Sequence, residues 1–433
     1  KPEAYNPKLV TIGPLYQNLE PSPINNYKAL CVKEFMERHE ISTVEDLIQD
    51  IISHQQHELS HIYNLNLLQS EIEWLQLLVT VDTVFIYEFL LGIWLSRPMQ
   101  SVGYFATFYN NDHTLRMRLQ RDLLLIGNQI PMSFLKKLVN NRDFSLADLE
   151  KTVRAFIVQL NPFFSSEASS NRFLEFLESK NIQMVEFCDH LLHCLYLSCT
   201  VKEKEEEESV RQTNSEESTR ISVSSCFSPL SKLCARQKTK KLEAQREEYV
   251  SLPTASQLYK ARIRFKACEG NISVMKYDQA NHRLHLPRLV VFDDTEILMR
   301  NLIAHEITSR KRDEFSMYAN IMDMLIDTPK DIAILKKAKV IENHLGNDER
   351  FVNMWNNMCI NVPYHDKSPR WEQMIHDIVA HHSSRRRRWY AEFRKKFCSR
   401  PWLLASFLAA FLLLSATIYQ ATYSGVDYYK PKH

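Results

Sequence analysis

Glycine is scarce in this chain, and the scarcity limits the folds open to it. The chain has 7 glycines among 433 residues, whereas average usage of about 7% would give roughly 30. Because glycine supplies the positive φ angles of tight turns, few glycines argue against a sandwich or barrel of many short strands. No two glycines are close enough to form a GxGxxG loop or a P-loop, which excludes these phosphate-binding loops. The sequence predicts a mainly α fold, a helical globular body with a small β element.

Positive charge is concentrated in one short segment near the C-terminus. The formal net charge is +2, and segment 385–400 carries +7, so subtracting +7 from +2 leaves −5 for the rest. A mildly acidic body has no general affinity for nucleic acid, and we expect no nucleic-acid partner. The eight basic side chains of the segment are Arg385, Arg386, Arg387, Arg388, Arg394, Lys395, Lys396 and Arg400.

An uncharged segment directly follows these basic residues. Residues 402–419 contain 18 residues without a charge, and as a helix they would span about 27 Å, enough to cross a bilayer core. Trp402 at one end and Tyr419 and Tyr423 at the other are typical of membrane interfaces. A buried core helix is the alternative. The adjoining basic segment favours a single C-terminal transmembrane helix.

The distribution of Lys and Arg predicts the orientation of this helix. Eight lie just before it and two, Lys430 and Lys432, follow it. The positive-inside rule then places the N-terminal body in the cytosol of a single-pass membrane protein, and we expect the plasma membrane. The basic side chains and Trp402 are expected to contact anionic lipid headgroups. A nuclear localisation signal is the alternative interpretation of the basic segment.

Cysteine usage indicates the redox environment of the body. The chain has 9 cysteines, an odd number, without a CxxC pair. Cys188, Cys194 and Cys199 lie in apolar helical stretches, which fits a reduced cytosolic body better than a disulfide framework. One glycosylation sequon occurs, with Asn271 as the candidate acceptor, and by itself it is weak evidence for secretion.

Composition and periodicity divide the chain into segments. Helical spacing of apolar residues, as at Leu149, Val153 and Phe156, dominates the first 200 residues. From about Val201 charged and polar residues replace them, which indicates a disordered linker. We predict an N-terminal helical part at 1–200, a charged linker at 201–246, a second part with the β element and further helices at 247–380, a basic juxtamembrane segment at 381–401, the transmembrane helix at 402–419 and a short tail at 420–433.

One motif has the spacing of a zinc protease. His57-Glu58-Leu-Ser-His61 fits HExxH, which on a helix places two imidazoles one turn apart to hold zinc, with Glu58 as general base. No HxxGxxH extension follows, and no clear third ligand is present downstream. We interpret the motif as a polar helix face, and predict no metal, no cofactor and no enzymatic activity. A zinc-dependent hydrolase remains the alternative.

Other catalytic templates find no match. The chain has no GxSxG elbow and no HRD or DFG triplet, so hydrolase and kinase templates fail. Asp82 lies on an otherwise apolar helix, and His190 also lies in an apolar context. We interpret both as buried, hydrogen-bonded structural residues rather than catalytic groups.

Several blocks of sequence resemble one plant family, the domain-of-unknown-function 247 proteins. The most specific is 122–131, Asp-Leu-Leu-Leu-Ile-Gly-Asn-Gln-Ile-Pro, which is similar to the family's DLLLLENQIP signature. Gly127 stands where the family usually has Glu. The resemblance covers nearly the whole chain apart from the linker, in blocks at 4–14, 81–88, 122–131, 252–258, 300–306, 322–328 and 401–423.

The resemblance implies a membrane-anchored plant protein that is not known to be an enzyme. In grasses, members are implicated as pollen determinants of self-incompatibility, paired with small secreted stigma proteins. Carried over, this implies a recognition or signalling role with a small secreted protein as partner, although a secreted ligand requires an exposed surface and the charge rule places the body inside. A self-associating membrane scaffold is a further alternative.

Overall fold

The structure is a computed structural model that describes residues 2–16, 24–52, 59, 63, 69–95, 113–139, 145–164, 166–202, 251–309, 313–362, 368–383 and 401–428. Most of the described residues are helical, which confirms the prediction of a mainly α fold. The helices are α1 (Ile24–Arg38), α2 (Val44–Ile52), α3 (Gln69–Leu95), α4 (His113–Asp122), α5 (Met132–Val139), α6 (Leu146–Leu160), α7 (Glu167–Ser179), α8 (Met184–Phe187), α9 (Leu191–Thr200), α10 (Ala255–Lys260), α11 (Thr295–Ser309), α12 (Glu314–Leu325), α13 (Pro329–Lys337), α14 (Asp348–Met358), α15 (Pro369–Ser383) and α16 (Pro401–Tyr428).

Side-chain caps fix where several of these helices begin. Helix α6 starts at a capping box in which Ser145 and Asp148 each accept the other's backbone N–H, so two amides of the first turn are satisfied. Helix α2 has the equivalent hydroxyl–carboxylate pair at Thr43 and Asp46. Ser42-Thr-Val-Glu45 also has the spacing of a capping box, but the structure places the cap one residue later, at Thr43.

Helix α3 is the central helix of the described body. Its segment Ser70–Gly92 is, by length and composition, apolar enough to cross a membrane, but 83% of its most apolar window is buried inside the body. Phe85 and Phe89 are almost fully buried there, and Phe89 meets Phe156 of α6 edge to face at 5.9 Å. We conclude that α3 is a core helix that is apolar on nearly all sides.

The small β element is confirmed as two short sheets. The strands are β1 (Arg264–Cys268), β2 (Lys276–Asp278), β3 (Arg283–Pro287), β4 (Leu289–Val291) and β5 (Ile341–Asn343). The first sheet has the order β1-β3-β2, with β3 parallel to β1 and antiparallel to β2. Strands β4 and β5 form a parallel pair.

One continuous apolar core joins the two predicted parts of the body. It extends from Val10 near the N-terminus to Ile378 in α15. Phe163 of the first part meets Tyr318 of the second edge to face, with ring centroids 5.4 Å apart. The predicted linker at 201–246 lies outside the described residues except for its first two positions.

Helix α16 differs from every helix of this body in what it exposes. It covers the whole of the predicted segment 402–419 as one helix of 28 residues. Its described side chains, at position 406 and at 408–420, are all exposed, and Leu413 retains 71% of its accessible surface. Among the described residues the apolar stretch of this helix is Leu408–Gln420, which is shorter than a membrane span, so the transmembrane helix at 402–419 stays a prediction.

Candidate functional site

Most of the site residues predicted from sequence lie outside the described residues. His57, Glu58 and His61 of the HExxH motif are among these, as are all eight basic side chains of segment 385–400. Trp402 lies in the first turn of α16. Each of these assignments therefore stays a prediction.

Asn271 has an environment that argues against its role as a glycan acceptor. Its side chain is fully buried, and Nδ2 donates to the carbonyl oxygens of Ser198 at 3.0 Å and Val201 at 2.8 Å. Its Oδ1 accepts from the amide of Ser273. A glycan on Nδ2 would remove these bonds and could not fit beside α9, so the sequon is better explained as a turn that joins two parts of the core.

Three histidines meet between α9 and α11. The ring centroids of His190, His193 and His305 lie 5.2 to 6.1 Å apart. Nδ1 of His190 accepts from the amide of His193, and Nδ1 of His193 accepts from the amide of Asp189. A neutral imidazole that accepts at Nδ1 holds its proton on Nε2 and offers no lone pair there to a metal. Within the described ranges no group of three His, Cys, Asp or Glu side chains is arranged to hold a metal ion.

Buried polar side chains, mostly from the blocks that carry the family resemblance, form a clamp around the N-terminal residues. We call residues 4–13 the N-terminal strap. Oδ2 of Asp122 accepts three successive strap amides, those of Lys8 at 2.9 Å, Leu9 at 2.6 Å and Val10 at 3.1 Å. Its other oxygen accepts from the guanidinium of Arg121. One fully buried carboxylate thus accepts hydrogen bonds from three backbone amides that lie outside any helix or sheet and would otherwise lack a partner.

Two asparagines extend the clamp. Asn128 accepts from the amide of Ile12 at 2.5 Å and donates to the carbonyls of Val10 and Asp122. Asn301 in α11 accepts from the amide of Ile126 at 2.9 Å and donates to the strap carbonyl of Ala4 at 3.1 Å. Because Asn301 belongs to the second part of the chain, the strap is held by both parts.

A buried ion pair completes the clamp at Gly13. Asp82 of α3 accepts from the amide of Gly13 at 2.8 Å and from Nζ of Lys28 at 2.5 Å. Burial raises the pKa of Asp82, and the Lys28 ammonium and the Gly13 amide oppose that rise. Gly13 has a φ of 69°, a left-handed conformation that favours glycine. Asp82 is therefore a buried, hydrogen-bonded structural residue, as the sequence predicted.

The departure from the family signature at Gly127 has a steric explanation. A Cβ at this position would lie 2.6 Å from side-chain atoms of Leu15 and Tyr16. The Tyr16 hydroxyl donates to the carbonyl of Tyr5 at 2.8 Å, so the ring that covers Gly127 also fastens the strap. A glutamate at position 127 would require this tyrosine to move.

A second buried carboxylate fixes the start of α12. Glu306 accepts from the amides of Phe315 and Ser316 and from the hydroxyl of Tyr196, at 2.7 to 2.8 Å. Burial raises the pKa of Glu306, and these hydrogen bonds oppose the rise. Glu306 therefore satisfies the first backbone amides of α12, which have no partner within the helix.

A comparison with known proteins supports the family resemblance that these sequence blocks carry. The chain matches the profile of a family described as plant protein of unknown function, DUF247, over residues 1–416. The chain belongs to this family. It is also 23% identical over 471 residues to a putative UPF0481 protein of Arabidopsis thaliana, covering 95% of this chain and 85% of the relative. No solved structure matches the chain.

The clamp gives these blocks a structural role in this family member. Asp82, Asp122, Asn128 and Asn301 come from three of the blocks that carry the resemblance, and each is almost fully buried. They hold backbone amides and carbonyls and leave no carboxylate or amide directed at an open cleft. Lys28 and Arg121 also belong to the clamp, and sequence reasoning missed them because a lone basic residue gives no signal of burial.

Proposed function

We propose that this protein is a non-enzymatic recognition or signalling protein held on a membrane by α16. The observation that carries the proposal is the exposure of the apolar side chains at 408–420 of α16, a helix that directly follows the basic segment 385–400. Insertion into a bilayer would remove leucine and phenylalanine side chains from water, while the basic segment would lie at the anionic headgroups. Membrane insertion by a helix of this length also leaves the described body free to contact a protein partner.

Insertion is tested by extraction of the full chain from vesicles at alkaline pH. Phe411, in the middle of the apolar segment and 59% exposed, is replaced by Arg, with Phe411→Leu as the matched control. An arginine at the helix centre costs about 2.5 to 3.5 kcal/mol of insertion free energy, so the Arg variant should become extractable while the Leu variant stays in the membrane. Extraction of the unmodified chain would refute the anchor.

The recognition part of the proposal is supported by the family resemblance and by the internal role of the clamp. The polar side chains of the signature blocks are used inside the body, so a partner would contact other surfaces. We propose a small secreted protein as this partner, as implied for pollen self-incompatibility determinants. Titration of the nanodisc-bound chain with small secreted stigma proteins of the same plant should give saturable binding for a subset of them, and no binding across the set would refute this part.

A further inference from the structure

One face of the β1-β3-β2 sheet is strongly basic. Side chains alternate along these strands, so Phe265, Leu284 and Tyr277 pack on the core while the residues between them point outward. We call this outer surface the basic sheet face. It consists of Arg264, Lys266 and Cys268 on β1, Arg283 and His285 on β3, and Lys276 and Asp278 on β2. Its four Lys and Arg side chains are all exposed.

The strand register places these cations beside one another. Arg264 lies directly opposite Arg283, whose neighbour on the other side is Asp278, and His285 lies between Lys266 and Lys276. Like charges this close repel one another, and the single carboxylate of Asp278 offsets only part of the charge of the four cations. The pKa of His285 is lowered by its partial burial and by these two lysines, which is consistent with a positive potential on this face. The sheet therefore keeps an arrangement that an anionic partner would stabilise.

The face lies at the end of the body from which the chain continues toward α16. His381, in the last turn of α15, meets His282 edge to face with ring centroids 4.2 Å apart, and its Nε2 is 3.3 Å from the carbonyl oxygen of Ala261. His282 immediately precedes β3, and Ala261 lies three residues before the start of β1. The described body therefore ends at Ser383, close to the strand ends that carry Arg264 and Arg283.

Further basic and aromatic groups extend the face at this end. Lys260 and Arg262 are exposed just before β1. The guanidinium of Arg264 lies 4.4 Å from the ring centroid of Tyr259, a tyrosine that is 41% exposed. Basic side chains beside an exposed aromatic ring are typical of protein surfaces at a membrane interface.

We propose that the basic sheet face binds the anionic headgroups of the membrane that α16 enters. The proposal rests on the membrane anchor proposed above and adds a surface of the body to it. Lipid is favoured over an acidic polypeptide because the chain passes from this end into the basic segment 385–400 and then into α16, which would keep the face near the bilayer. A sheet surface also suits a layer of headgroups, whose charges are spread over an area.

Lysine acetylation of the full chain in vesicles tests the proposal. The chain is incorporated into vesicles of phosphatidylcholine alone, or with about 30% phosphatidylserine, and reaction rates are read by mass spectrometry. The rates of Lys260, Lys266 and Lys276 should fall by about threefold or more with phosphatidylserine and recover at high salt. Lys33 in α1 and Lys151 in α6, exposed on helices of the first part, should react equally in both.

A pair of charge-matched variants then isolates the face. Lys266→Glu/Lys276→Glu should abolish the protection of Lys260, whereas Lys33→Glu/Lys151→Glu should leave it intact. A chain that floats with both kinds of vesicle but shows equal rates in both would overturn the lipid-binding face and leave the anchor standing. Protection of these lysines by polyglutamate but not by anionic vesicles would also overturn it, in favour of an acidic polypeptide.

The anchor and the face can fail separately. If the chain does not float with neutral vesicles, the anchor proposal fails. Protection of Lys260, Lys266 and Lys276 by anionic vesicles would then still support the face as a peripheral lipid-binding surface, and its absence would overturn both.

Discussion

Replacing Asp122 with Ala should release the N-terminal strap and destabilise the whole body. The substitution removes the acceptor of three strap amides and leaves the buried Arg121 guanidinium without its carboxylate. Hydrogen bonds to a charged group contribute about 1.5 to 3 kcal/mol each. The three share one oxygen and two are only partly buried, so we expect a combined loss of about 3 to 5 kcal/mol. That is a large fraction of the roughly 5 to 15 kcal/mol that stabilises a typical domain.

Thermal unfolding and amide hydrogen exchange of the chain in nanodiscs measure this effect. The amides of Lys8, Leu9 and Val10 should lose their protection in Asp122→Ala, and the midpoint of unfolding should fall. Asp122→Asn is the matched control, because it also leaves Arg121 without a carboxylate but keeps a carbonyl oxygen for the strap amides, which should therefore stay protected. If the Ala variant were within about 1 kcal/mol of the unmodified chain with its strap amides still protected, the clamp would not be a major source of stability.

Three further predictions follow from the buried polar groups and from the HExxH motif. Partial burial and the nearby Asp327 raise the pKa of Asp323 to about 6, so the charged group should lower the stability of the body above pH 6 and cease to do so as the pH falls toward 4. Asp323→Asn should therefore stabilise the body by about 1 kcal/mol at pH 7 after allowance for solvent screening. The exposed control Glu175→Gln should not, and unfolding measured from pH 4 to 7 compares the two variants. Tyr196→Phe should cost about 1 to 2 kcal/mol of unfolding free energy, because Glu306 loses one of its hydrogen bonds but keeps two backbone amides, and an unchanged midpoint would count against the buried network. Elemental analysis of the purified chain should find no stoichiometric zinc, whereas bound zinc that disappears in His57→Ala would favour the hydrolase alternative.

The helical parts of the fold could be predicted from sequence because their signals are local. The Ser145–Asp148 capping box and the apolar spacing that follows it lie within one segment, and α6 begins where they indicate. The stretch 331–345 is a different case, since it contains the end of α13 and then strand β5. The helix ends near Lys339, whose φ of 59° makes the turn, and a lysine gives no sequence signal for a left-handed turn.

The scarcity of glycine correctly predicted the fold class, but it did not show which residues form the turns with positive φ. Among the described residues, six non-glycine positions have positive φ, so turns that usually need glycine are made here by other residues. They are Glu40, Asn181, Arg262, His282, Lys339 and Asn361. Such turns are strained for residues with a Cβ, and the surrounding core contacts must stabilise them.

The clamp could be predicted only in part. The apolar context of Asp82 indicated a buried structural carboxylate, and the structure confirms it. Its partners Lys28 and Gly13 are 54 and 69 residues away along the chain, and Asn301 is 297 residues from Ala4. Sequence periodicity reports only the face of a single helix or strand, so contacts at such separations became visible only with the fold.

Protease protection of the full chain in sealed vesicles tests the membrane anchor most directly, with a tag at each end. Insertion with the body on the cytosolic side predicts that protease added to the opposite side removes the C-terminal tag and leaves the body intact. Cleavage of the body from that side would reverse the orientation while keeping the anchor. Loss of both tags together with release of the whole chain from the vesicles would contradict the account, because α16 would then not span the membrane.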